Sequence, residues 1–197
     1  MNQSVSSSSS ESALNNALGH FRTITKHKNT VMGLCFKVGL IRQGLLHDLS
    51  KYTPVEFKTG VKYYRGDMSP NSVEKQLEGY STAWLHHKGR NRHHFEYWID
   101  VSYKPDCIIE TGKMPLKYVL EMACDRIAAS KIYRGSEYKE SDPYEYLIRR
   151  ASRVSKLMHP DTYALLESIL AKLKDEGEEA CIEYMRWLLK NPEEYGK

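Results

Sequence analysis

The chain has 197 residues, 41% of them hydrophobic and 27% charged, with a net charge of +4. That length suits one domain with its own core and needs no disulfide staples. The charge is too mild, and the Lys/Arg runs too short, for nucleic acid to be the expected partner.

Residues 1–11, MNQSVSSSSSE, hold too few apolar groups to pack. They are expected as a disordered tail, which leaves residues 12–197 as a single domain. From 12 to 39 the pattern is helical: His20, Ile24, His27, Val31, Leu34 and Val38 follow steps of three and four on one face, and Gly39 ends it. LIRQGLLHDLSKY predicts a second, shorter helix, with Pro54 near its end. PVEFKTGVKYYRG reads as helical until DMSPN breaks it. SVEKQLEGYSTAWLHH reads as one long helix ended by Gly89, HFEYWIDVSY as helical again, and KPDCIIETGKM as a loop.

Pro115 opens the helix PLKYVLEMACDRIAASKIY, RGSEYKESD is a polar loop, and Pro143 opens a helix through about 157. A helical hairpin around Gly177 closes the chain. Period-two alternation is nearly absent, so the expected fold class is all-α, a single bundle of about seven to eight helices.

The cysteines, Cys35, Cys107, Cys124 and Cys181, form no CxxC pair, which argues against a thiolate zinc site or a redox motif. No apolar run reaches membrane-spanning length and no signal-peptide core opens the chain, so no membrane and a cytoplasmic location are expected.

Four of the eight histidines, His86, His87, His93 and His94, crowd into HHKGRNRHH with Lys88, Arg90 and Arg92. A packed basic loop would explain them, as would metal ligation or contact with a phosphate. Upstream, His47 and Asp48 precede Lys51 on the second predicted helix, where Asp48 and Lys51 also suit an ordinary ion pair. His27 lies on the apolar stripe of the first helix, where a core histidine is the plainer alternative. His20 sits two turns away, roughly 10 Å along the axis, too far to share an ion with it. Asp125 lies on the stripe of Tyr118, Met122, Ala129 and Ile132, where an acid must be paired or metal-bound. A buried salt bridge to Arg126 or Arg90 would also satisfy it.

Taken together, His27, His47-Asp48 and Asp125 have the order H…HD…D. This resembles the HD-domain superfamily of metal-dependent phosphohydrolases, and HDLSK resembles its HD-x-x-K form. GLLHDLSKY, HHKGRNRHHFEYW and DRIAASK also look like strings shared within a bacterial and phage family that has no assigned substrate. The interval from His27 to His47 is shorter than is common in the superfamily, yet His27 is preferred to His20 as first ligand.

The resemblance implies an HD-like helical bundle holding one or two divalent ions (Mn, Mg, Zn, Fe, Co or Ni). His27, His47, Asp48 and Asp125 would bind the metal, with His87 and His94 at a second ion. Lys51, Asp48, Arg90, His86 and His93 would serve catalysis: the cations on phosphate oxygens, a histidine on the leaving group. The expected reaction is hydrolysis of a phosphomonoester or phosphodiester, with a small phosphorylated substrate, nucleotides included, as partner and a homodimer as an open possibility. A di-iron oxygenase and a non-catalytic nucleotide sensor are the alternatives on the same scaffold.

Overall fold

A computed structural model describes residues 4–196, with side chains from residue 12 onward. Residues 1–3 of the expected tail, and all its side chains, lie outside the described residues. From Ser4 the backbone is helical.

The first helix, α1 (Ser4–Val38), carries the predicted stripe: Ile24, Val31, Leu34 and Val38 are buried with His20 and His27, and Cys35 is buried beside them. Gly39, at φ 102°, ends it in the left-handed conformation. The chain then folds back as α2 (Ile41–Leu46). A Cβ on Gly44 would stand 3.0 Å from the Cβ of Cys35 and 3.2 Å from the carbonyl oxygen of Met32, so the missing side chain lets α2 lie directly on α1.

Here the structure corrects the sequence reading. The second helix stops at Leu46, before the HD pair. His47 is extended (ψ 127°), Asp48 is left-handed (φ 53°), and Leu49–Tyr52 form a 3-10 turn.

Three short helices follow: α3 (Pro54–Lys62), α4 (Pro70–Glu78) and α5 (Thr82–Lys88). The last two were expected as one. Gly79 (φ 81°) ends α4, and Ser81 starts α5 by accepting the Trp84 amide at 2.9 Å.

The next expected helix is absent. Phe95–Trp98 form a 3-10 turn that runs into β1 (Ile99–Val101), antiparallel to β2 (Ile109–Thr111) in the segment expected as loop. Ile99 pairs with Thr111 and Val101 with Ile109. These β-branched pairs favour a ribbon, but three residues per strand are too few for a period to register.

The central helix is α6 (Leu116–Arg134). Val119, Leu120, Met122, Ala123, Cys124, Ile127 and Ala128 are all 2% exposed or less, so Glu121 and Asp125 on the same helix are carried inward. The chain closes with α7 (Asp142–Arg149), α8 (Ala151–Val154) and α9 (Pro160–Lys190). Gly177 (φ 88°, ψ 173°) breaks α9. Across the break, Cys181 Sγ reaches the Ile169 carbonyl at 3.4 Å. Twelve residues of unbroken helix would span about 18 Å, so the two halves fold back as the predicted hairpin.

The molecule is predominantly α-helical, as expected. No helix among the described residues is long and apolar enough to cross a membrane.

Candidate metal centre

The α2 break sets Asp48 at the middle of the site. The only non-glycine residue with positive φ among the described residues, it is 1% exposed. Asp tolerates the left-handed region better than most residues, and here that conformation swings the carboxylate beneath α1 and α6.

On one side stand His27 from α1, His47 from the break and Asp125 from α6. His27 Nε2 is 2.9 Å from Asp125 Oδ1 and 3.8 Å from Asp48 Oδ2. His47 Nε2 is 3.3 Å from Asp48 Oδ2 and 3.6 Å from Asp125 Oδ1.

On the other side stands His87, in the last turn of α5, and the turn after the helix supplies His93 and His94. Asp48 Oδ1 lies 3.3 Å from His87 Nε2 and 3.4 Å from His93 Nε2. His94 Nε2 is 2.8 Å from His87 Nε2. Each side forms a group able to hold a metal ion, and the two share Asp48.

Carboxylates behind the rings decide which nitrogen faces inward. His47 Nδ1–H donates to Glu121 Oε1 at 3.0 Å, and His93 Nδ1 lies 3.2 Å from the same oxygen. His87 Nδ1–H donates to Glu56 Oε2 at 2.8 Å. An ionised carboxylate can only accept, so each of these rings carries a proton on Nδ1. Glu121 is held below the usual carboxylate range: burial opposes its charge, but the His47 and His93 hydrogen bonds prevail. Each Nε2 is then free to face the centre, the arrangement that orients metal-ligating histidines.

The inward atoms fit a cation. His27 Nε2, His47 Nε2, His93 Nε2 and both Asp48 oxygens are buried without a hydrogen-bond partner. They approach one another closely but are not aligned as donors and acceptors. Separations of 2.8 to 3.8 Å suit neighbouring ligands with bonds of about 2 Å to one ion, and mixed N and O donors suit several divalent metals.

Lys51 Nζ stands 2.6 Å from Asp48 Oδ2 at the rim, its side chain 25% exposed. Burial disfavours its charge, but Asp48 and Asp125 outweigh this and raise its pKa, so the ammonium stays charged. Burial opposes the Asp48 charge as well, and His47, Lys51 and His87 together hold its carboxyl well below the usual range.

The structure brings together His27, His47, Asp48, Asp125, His87 and His94, all expected as ligands. His93, expected to serve catalysis, stands instead among the donors. His86 turns away: its Nδ1 is 2.6 Å from Glu56 Oε1, outside both groups. Arg90 is exposed and makes no side-chain hydrogen bond or ion pair among the described residues. Arg92 lies over the Tyr97 ring, 5.6 Å from its centre. Asp125 pairs with neither Arg90 nor Arg126, the two partners weighed for it. His20, the rejected first ligand, packs against Phe57 with ring centres 5.3 Å apart.

Two functional side chains escaped the sequence reading. Glu121 lies one turn before Asp125 on α6, and that i, i+4 pair of acids on an apolar helix was a usable signal. Glu56, near the start of α3, gave none, because acids in a first helical turn are ordinary.

The fold and site define a class: a helical protein whose buried His and carboxylate side chains form adjoining groups that could hold metal. The chain belongs to a family described as "Family of unknown function (DUF5662)", whose model matches residues 16–172, a span that includes every donor named here. No curated protein and no solved structure matches the chain.

Proposed function

We propose that this chain is a metal-dependent phosphohydrolase of the HD type, acting on a phosphomonoester or phosphodiester, nucleotides included. One observation carries the reading: Asp48 turns one oxygen to each of two donor groups, and both of its oxygens and the Nε2 atoms of His27, His47 and His93 are buried without a hydrogen-bond partner. Divalent ions held there would polarise a phosphoryl oxygen and lower the pKa of a water, so that it gives up a proton to solvent and supplies hydroxide as the nucleophile for phosphorus.

The ligands would be His27, His47, Asp48 and Asp125 on one side and Asp48, His87, His93 and His94 on the other. Glu121 and Glu56 hold the rings in the required tautomer. Lys51, charged at the rim, neutralises negative charge on the phosphate oxygens as the P–O bond to the leaving group breaks. The leaving alkoxide takes its proton from water rather than from His86 or His93, whose Nδ1 atoms face Glu56 and Glu121.

The test is elemental analysis of protein purified without chelator, then a panel of phosphomonoesters and phosphodiesters with several divalent ions. About one to two metal equivalents and turnover abolished by chelator are expected. Protein that binds no metal overturns the reading. Bound iron with visible absorption and no phosphatase activity would favour an oxygenase, and tight nucleotide binding without turnover under any metal would favour a sensor.

A further inference from the structure

The two donor groups differ in what carries their side chains. His27 and Asp125 stand on the long helices α1 and α6. His87, His93 and His94 come from the last turn of a seven-residue helix and from the turn beyond it, and donors on such segments are held less firmly than donors on long elements. Behind them lies a buried polar network that contributes no ligand. It is centred on Asn91 and Ser50, each 9% exposed.

The Asn91 side chain donates from Nδ2 to the His87 carbonyl and to Ser50 Oγ, both at 2.8 Å. A carbonyl can only accept, so the amide nitrogen must face this way, and its two hydrogens match the two acceptors. The Asn91 backbone carbonyl accepts the His94 amide at 3.1 Å. Ser50 belongs to the 3-10 turn that follows Asp48. Ser50 Oγ and Asn91 Nδ2 also approach His87 Nδ1, at 3.2 and 3.1 Å, beside the bond this nitrogen donates to Glu56. Asn91 therefore ties the HD turn, the end of α5 and His94 together. Among the described residues no hydrogen bond joins either side chain to His27, His47 or Asp125.

We propose that Asn91, through Ser50 and the His87 carbonyl, is the positioning residue for a second metal ion, fixing His87 and His94 against Asp48. The inference rests on the metal centre of the phosphohydrolase reading and assigns it two unequal ions. The first is held by donors from long helices, and the second depends on this clasp for its affinity. With the clasp in place His87 Nε2 stands 2.8 Å from His94 Nε2 and 3.3 Å from Asp48 Oδ1. Without it the rings must be ordered as the ion binds, and ordering side chains costs conformational entropy.

The test titrates the metal recovered with the protein, alone, into the metal-stripped full chain, with binding followed calorimetrically and a melting curve recorded for each variant. The parent should take up two ions. In Asn91→Ala the first should bind within about twofold of the parent and the second about 10- to 100-fold more weakly. Ser50→Ala should act in the same direction, and the double variant should lose no more than Asn91→Ala alone, because the two side chains act through one bond. A merely structural role would lower the melting temperature and weaken both ions alike or neither. Should Asn91→Ala fail to fold, Ser50→Ala, which removes a single oxygen, carries the comparison. A parent that holds one ion, or variants that weaken both ions alike or neither, overturn the inference and leave the phosphohydrolase reading to its own test. A parent that takes up no metal overturns both. Selective loss of the second ion from a protein that turns over no phosphoester overturns the phosphohydrolase reading and upholds the clasp.

Discussion

At the scale of single residues, Asp48 decides most. It occupies a conformation that costs an ordinary residue about 1 kcal/mol or more, it is buried, and its two oxygens face different donor groups. Asp48→Ala should therefore abolish metal uptake on both sides while leaving helical content nearly intact, as read by elemental analysis and circular dichroism. A variant that keeps full metal would remove Asp48 from the ligand set. Glu121 acts one step back, through His47 and His93. Glu121→Gln should weaken metal binding by about 10- to 100-fold rather than eliminate it, and a metal titration that matches the parent would limit Glu121 to packing. Lys51→Ala separates metal from chemistry: metal stoichiometry should hold while turnover falls by roughly 10²-fold.

At the scale of elements, the site depends on how closely α2 and α3 approach α1. Gly44 sets the first approach, and a methyl group there meets Cys35 and the Met32 backbone. Gly44→Ala should cost about 1–3 kcal/mol of stability in chemical denaturation. Metal affinity should fall too, because His47 follows α2 directly; unchanged values of both would show that α2 shifts at no cost.

Gly60 on α3 sets the second approach. A Cβ at Gly60 would fall 2.0 Å from His20 Nε2, so the His20 ring fills the space a side chain would take. Burial first, and then the Lys51 charge, lower the His20 pKa from 6.5 to about 4. The folded state therefore binds fewer protons than the unfolded state between these values. Stability from this group is fully present above pH 6.5 and is lost as pH falls towards 4, at no more than about 1.4 kcal/mol per pH unit. Relative to His20→Gln, the parent should lose stability across that window, and parallel stability curves for the two proteins would sink the assignment.

At the scale of the whole molecule, the donors tie together residues far apart in the chain, from His27 on α1 to Asp125 on α6. An ion that binds the folded state alone stabilises it in proportion to the logarithm of its concentration over Kd. Chelation should therefore lower the melting temperature, and the metal identified by elemental analysis should restore it. Uptake also requires unprotonated rings. Without metal, burial opposes a charge on His47 and His87, but Asp48 and neighbouring carboxylates prevail and raise both pKa values. Protons and metal then compete, so affinity should fall as pH falls, with protons released on binding. Calorimetry in buffers of different ionisation enthalpy measures that release, and zero release would contradict it.

The long helices were legible in the sequence because period and punctuation agree there. The α1 stripe, Pro115 before α6 and the Gly177 corner each rest on interactions within a few neighbouring residues. The donors His27, His47, Asp48 and Asp125 were legible as an ordered set of residue types through a resemblance, since spacing alone favoured a core histidine at His27 and an ordinary ion pair at Asp48. What tertiary structure decided lies where local signals are weak or conflict. The HD pair sits on a helix break rather than a helix, because α2 must turn sharply once it has packed on α1. Residues 95–111 form a turn and a ribbon too short to show a period. The choice among His86, His87, His93 and His94 depended on where Glu56 and Glu121 stand, and both come from other helices. A ring on a short turn takes its orientation from the carboxylate behind it, and which carboxylate that is depends on contacts between segments distant in sequence.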